Sequence, residues 1–119
     1  MIFLESSTPA ATAAAFISTW FGASAPSGLQ IGTYSGAGIG LSTSGDAVNL
    51  YSAAGVLQTG VTFGASPAGP VFASFDNAAA LTGPISQLSV IGTNGAFAAV
   101  NPNSGTTTGQ TGSPGTAAQ

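Results

Sequence analysis

The chain has 119 residues with no Lys, Arg, His or Cys, and three acidic residues set its formal charge at −3. This excludes a Ser-His pair, a thiolate nucleophile, a Schiff-base amine and an arginine clamp, and it removes both of zinc's usual ligand types. Phosphate and nucleic acid meet no cation, and an anionic membrane surface has nothing to attract. Hydrophobic residues make up 44% of the chain, and 18 Gly and 7 Pro punctuate it, so short strands joined by many turns are expected. Ser, Thr, Asn and Gln must solvate such a surface, which offers little charge repulsion against self-association.

In chain order, Ile2 to Leu4 reads as a short apolar strand. Met1-Ile2-Phe3-Leu4-Glu5 has no basic segment and reaches an acid at once, which does not match a signal peptide. Thr8 then stands as an N-cap ahead of Pro9, whose preset φ suits the first helical position. Alanine dominates Ala10 to Ala15, and Phe16/Trp20 and Ile17/Phe21 lie four apart, which predicts one helix over about 9–21 with an apolar core-facing stripe. Gly22 and Pro26 end it.

From Leu29 the period becomes two: Leu29 and Ile31 alternate, and Gly32 to Gly40 reads as a glycine-rich connection around Tyr34. The glycines at 36, 38 and 40 do not complete G-x-G-x-x-G, because Leu41 stands next and no helix follows. Val48 to Tyr51, the turn Ser52 to Gly55 and Leu57 to Phe63 form the clearest hairpin signal. A loop with Pro67 and Pro70 follows, then a short strand Val71 to Phe75 and an Asp76-Asn77 turn. Ile85 to Ile91 alternates as a half-buried strand, Asn94-Gly95 is a turn, and Phe97 to Val100 is an edge strand. Residues 101–119 have almost nothing to bury and read as a flexible Gly/Thr/Ser/Pro-rich tail.

Glu5, Asp46 and Asp76 are the only carboxylates. A glycosidase would need two of them facing each other across a substrate. Calcium would need about 6–8 oxygens, of which Asp46 with Ser44, or Asp76 with Asn77, supply a part. The plainer reading has Asp46 closing the Ser44-Gly45-Asp46 turn and Asp76 an Asx-turn. No catalytic residue, metal site or cofactor is assigned, and Asp46 and Asp76 stay as weak calcium candidates.

The run Gly40-Leu41-Ser42-Thr43-Ser44-Gly45-Asp46-Ala47-Val48-Asn49-Leu50-Tyr51, followed by Val61-Thr62-Phe63-Gly64, resembles the centre of the bacterial lamin-tail-like domain. Ser74-Phe75-Asp76-Asn77, Asn94-Gly95-Ala96-Phe97-Ala98-Ala99 and Gly112-Ser113-Pro114-Gly115 resemble its later pieces, so the likeness covers roughly residues 1 to 115. It implies an all-β, immunoglobulin-like β-sandwich over 1–100 with one short N-terminal helix, and accessory, adhesive or structural work in secreted or surface proteins. Two features depart from it. The family's opening strands have no counterpart here, which implies a sandwich that is incomplete or completed by a neighbouring chain. Its usual Lys and Arg are absent, which removes any nucleic-acid role.

An open strand edge recruits further strands. The expectation is therefore a non-catalytic extracellular or cell-surface protein whose partners are other copies of itself, built by strand or tail exchange into a fibre or surface layer. The alternative is an accessory sandwich module, or a fragment, of a larger secreted protein. The lack of any trypsin site fits an exterior location, and no apolar run approaches the roughly 20 residues needed to span a bilayer, so no membrane insertion is expected.

Overall fold

The computed structural model describes residues 1–36, 39–66, 72–76, 85–102 and 109–116. Pro67, Pro70, Val71, Asn77 and the central part of the 101–119 segment lie outside them. The described chain is β-rich, with one short helix and small sheets that do not close into a barrel.

Strand β1 (Ile2–Glu5) leads into α1 (Pro9–Phe21), and β2 (Ile31–Tyr34) returns parallel to β1 with Ile2 opposite Ile31 and Glu5 opposite Tyr34. A parallel return requires a crossover, and the helix provides it. Pro9 opens the helix as expected, but the Thr8 side chain makes no cap bond. Ser6 braces the entry to the helix instead: its Oγ accepts from the Thr8 N–H at 2.8 Å and pairs with Thr12 Oγ1 at 2.6 Å, leaving the first-turn amides without a side-chain cap. The connection expected from Gly32 onward begins later, because Gly32 to Tyr34 pairs with β1. Gly32 fits because its missing side chain leaves room for the Phe3 ring across the pair, 2.9 Å from where a Cβ would stand.

Strands β3 (Asp46–Tyr51) and β4 (Leu57–Phe63) form the expected antiparallel hairpin, with Val48 opposite Val61 and a bulge at Leu50/Tyr51. Gly55, at φ 76°, completes the turn, where the Ser52 carbonyl accepts from its N–H at 2.9 Å.

The third sheet has the order β5 (Phe72–Ala73), β7 (Gln110–Gly112), β6 (Phe97–Ala98). Its central strand comes from the segment expected to be a flexible tail. Residues 110–112 pair parallel to β5 and antiparallel to β6. The strand expected over Ile85 to Ile91 does not form; Ile85 and Leu88 instead make single bridges to Phe63 and Phe75. Its alternation reflects side chains placed inward one at a time, with Ile85 and Ser89 buried and Val90 and Ile91 exposed.

The core lies between α1 and the β5–β7–β6 sheet. Phe97 contacts Trp20 edge-on at 5.8 Å and Phe21 at 5.7 Å, and Phe16 flanks both helix aromatics. Gly112 is buried beneath them: a Cβ there would stand 3.1 Å from the Trp20 ring and 2.8 Å from Ser74 Oγ. Asn101 closes the helix C-terminus from far along the chain. Its backbone N–H donates to the Thr19 carbonyl and its side-chain amide to the Ser18 carbonyl, each at 2.9 Å. The Thr19 carbonyl is among those that a helix cannot satisfy internally, whereas the Ser18 carbonyl also accepts from the Gly22 N–H at 3.1 Å. No helix of the described residues is long and apolar enough to cross a membrane.

Candidate functional site

The three carboxylates belong to different segments of the fold. Glu5 is the exposed last residue of β1, Asp46 the exposed first residue of β3, and Asp76 follows Phe75, which bridges to Leu88. No group of three or more His, Cys, Asp or Glu side chains able to hold a metal occurs among the described residues.

Asp46 is engaged by its own turn. Its Oδ2 accepts from the Ser42 N–H at 3.0 Å and its Oδ1 from the Ala47 N–H at 2.8 Å. Gly45, at φ 120°, lets the chain double back, and a Cβ there would lie 3.1 Å from the Phe63 carbonyl oxygen. The amides of Ser42 and then Ala47 hold the Asp46 carboxyl below its ordinary pKa, because both bonds favour the charged form.

Asp76 accepts at Oδ2 from the Asn94 side-chain amide at 2.9 Å, and its N–H donates to the Gln87 carbonyl at 2.8 Å. Asn94 and Gly95 both have positive φ, 48° and 75°, as a two-residue I′-type turn requires. The Thr93 carbonyl accepts from the Ala96 N–H at 2.8 Å across that turn. Asp76 thus ties a second turn to the segment after β5. The calcium partner expected for it, Asn77, lies outside the described residues.

The hydroxyls of Ser74 and buried Ser89 share a hydrogen bond of 2.9 Å, and the Ser74 carbonyl accepts from the Ser89 N–H. This pair ties the bridge segment to the third sheet. Gln110 Oε1 is buried with no hydrogen-bond partner among the described residues.

The most distinctive surface is the β3–β4 hairpin. Val48, Leu50, Val61 and Phe63 share one of its faces, because cross-strand partners point the same way. Leu50 is 47% exposed, Tyr51 60% and Leu57 54%. The buried apolar side chains, Phe21, Ile85, Ala96 and Ala99, all lie elsewhere. The base of the hairpin is anchored. There the Thr62 carbonyl accepts from the Ile85 N–H, the Gly64 N–H donates to the Ile85 carbonyl, and Phe63 contacts Phe75 at 5.4 Å. Apart from the single Ile85 bridge, the sheet ends at two strands among the described residues, so both carry an unpaired edge.

No protein-family model, no curated protein and no solved structure matches this chain.

Proposed function

We propose that the chain is a non-catalytic structural protein of the cell exterior that self-assembles through open strand edges into a fibre or surface layer. The observation that carries this reading is the β3–β4 hairpin, a two-stranded sheet with apolar side chains in solvent along its length. A lone two-stranded hairpin is marginal in water and gains stability from further strands or a covering layer. Exposed edges and apolar patches are features that monomeric soluble proteins usually suppress with charge, and β4 carries none. A second copy supplies the missing layer in the same way that the immunoglobulin-like sandwich of a lamin-tail-like domain is completed by its second sheet. The non-catalytic character is supported by the side-chain inventory and by the engagement of Asp46 and Asp76 in turns.

A second reading has its own observation. Strand β7 completes a three-stranded sheet within one chain, as it would in a self-contained accessory module of a larger secreted protein. Negative-stain electron microscopy beside light scattering separates the two. Filaments or sheets with a regular repeat support assembly; discrete particles of 11.3 kDa across the concentration range sink it and leave the accessory module.

A further inference from the structure

We propose that the joint between copies is the outer edge of β3, paired antiparallel with β3 of a second copy about a two-fold axis at Asn49. The inference rests on the self-assembly reading above and names the edge and the register that carry it. The hairpin has two outer edges, and they differ. Along β4, the Thr62 carbonyl and the Gly64 N–H are both bonded to Ile85, and Gln58 has no partner in the register, so this edge is taken at one end and bulged at the other. Covered ends and bulges keep an edge from pairing. Along β3, by contrast, no described strand lies opposite β4, and Val48, Asn49 and Leu50 are exposed. In an antiparallel ladder the N–H and C=O of one residue face the same side, and successive residues alternate. Thr62 and Gly64 face away from β3, so Val61 and Phe63 face their partners Val48 and Asp46, and Ala47 and Asn49 face outward. The Ala47 N–H already donates to Asp46 Oδ1 at 2.8 Å. Asn49 therefore presents both its N–H and its C=O to an incoming strand.

A second copy fits this edge because the pairing is reciprocal. Asn49 opposite Asn49 of the second copy exchanges two backbone bonds, and the same register sets Val48 of each copy opposite Leu50 of the other. These two side chains share one face of the hairpin and are 38% and 47% exposed, so the contact covers apolar surface on both copies. It also extends the row that Val48 forms with Val61 into the second hairpin. Charge favours the same orientation. Asp46 comes opposite Ser52 of the second copy, which leaves the two Asp46 residues about 20 Å apart along the strands. A parallel in-register pair would set them side by side at about 4.8 Å. A two-fold contact closes on itself, so its product is a pair, the unit from which a further contact builds a fibre or layer.

The chain has no cysteine, so introduced disulfides can report the register. Val48→Cys and Leu50→Cys chains are mixed at low concentration, concentrated and oxidised with glutathione disulfide, beside each chain alone. In this register, positions 48 and 50 of opposing copies have Cα atoms about 4.5 Å apart, within disulfide reach, whereas like positions lie on the diagonal at about 7–8 Å, beyond it. Disulfide-linked dimer should therefore form in the mixture and stay at background in either chain alone. Amide hydrogen exchange on the unsubstituted chain gives a second measurement, independent of how the variants fold: exchange at the Asn49 N–H should slow as concentration and apparent mass rise. Links of like with like, no link in a mixture whose circular dichroism shows the fold retained, or an Asn49 N–H that exchanges at one rate while the mass rises would overturn this joint and leave self-assembly standing. An apparent mass of 11.3 kDa in light scattering at every concentration would instead overturn the self-assembly reading, and the joint with it.

Discussion

The hairpin of β3 and β4 and the sheet of β5, β7 and β6 are made from similar amino acids and held by different means. The hairpin has the longest strands of the described chain, six and seven residues, yet its side chains lie mostly in solvent. The other sheet has strands of two and three residues, yet it underlies the packed cluster of Phe16, Trp20, Phe21 and Phe97. Strand length is thus a poor guide to where the stability of this molecule resides. Ladder bonds add little net free energy each, whereas a buried aromatic ring removes a large apolar area from water. The hairpin leaves most of its side chains in solvent, while the helix-backed sheet carries the packed aromatic rings.

The sharpest way to break this comparison is to remove the last strand. A chain ending at Pro102 loses β7, which among the described residues is the one strand that pairs with β5 and β6. It should lose its cooperative unfolding transition, since the removal strips the support of the aromatic cluster from a fold with only about 5–15 kcal/mol to spare. Urea unfolding followed by Trp20 fluorescence tests this, and a tail that did not matter would leave the midpoint unchanged.

Single substitutions should divide along the same line. Phe21→Ala, at a site 9% exposed, is expected to cost about 3–5 kcal/mol in urea unfolding. Leu50→Ser and Tyr51→Ser on the exposed hairpin should each shift stability by no more than about 0.5 kcal/mol and should reduce association in light scattering. Equal costs in both regions would refute the division.

Turn glycines offer a finer probe. At Gly55 (φ 76°) a Cβ meets open space, so Gly55→Ala should cost only the left-handed strain of about 1–2 kcal/mol. At Gly95 (φ 75°) the same change also drives a Cβ to 2.6 Å from Thr116 Cγ2, so Gly95→Ala should cost more. Paired thermal melts would show the difference. Asn101→Ala removes the side-chain bond to the Ser18 carbonyl and should cost about 0.5–1.5 kcal/mol. Asn101→Asp, which cannot donate there, should not restore it.

The smallest effect is electrostatic. The Asp46 carboxyl has its pKa lowered in the folded chain, so its contribution is fully present above the unfolded-state pKa and is lost as pH falls through the lowered folded-state value. Urea midpoints of the parent chain should therefore fall in acid more than those of Asp46→Asn. Parallel curves would show that the Ser42 and Ala47 amides contribute nothing through charge.

Local signals were legible in the sequence where neighbours in the chain decide the structure. Pro9, the alanine run and the spacing of Phe16, Ile17, Trp20 and Phe21 determine a helix ending at Gly22. Alternation on either side of Ser52 to Gly55 determines the hairpin, and Asn94-Gly95 determines a separate turn between Thr93 and Ala96. The engagement of Asp46 by its own turn was legible for the same reason, since its donors lie within four residues. The Asn94 partner of Asp76, 18 residues away, was not.

Only the tertiary structure decided the rest. Gln110-Thr111-Gly112 carries no strand signal, and becomes one because β5 and β6 offer unpaired edges on both sides and the bare Gly112 leaves room for Trp20. Ile85 to Ile91 alternates like a strand but makes two single bridges, because it passes from the end of β4 at Ile85 to the segment after β5 at Leu88 and pairs with each only briefly. Asn101 caps a helix through Ser18, 83 residues earlier, which no local pattern announces. Local propensity depends on adjacent residues and is written in the sequence; strand partners, remote caps and packing against glycine depend on what folding brings near.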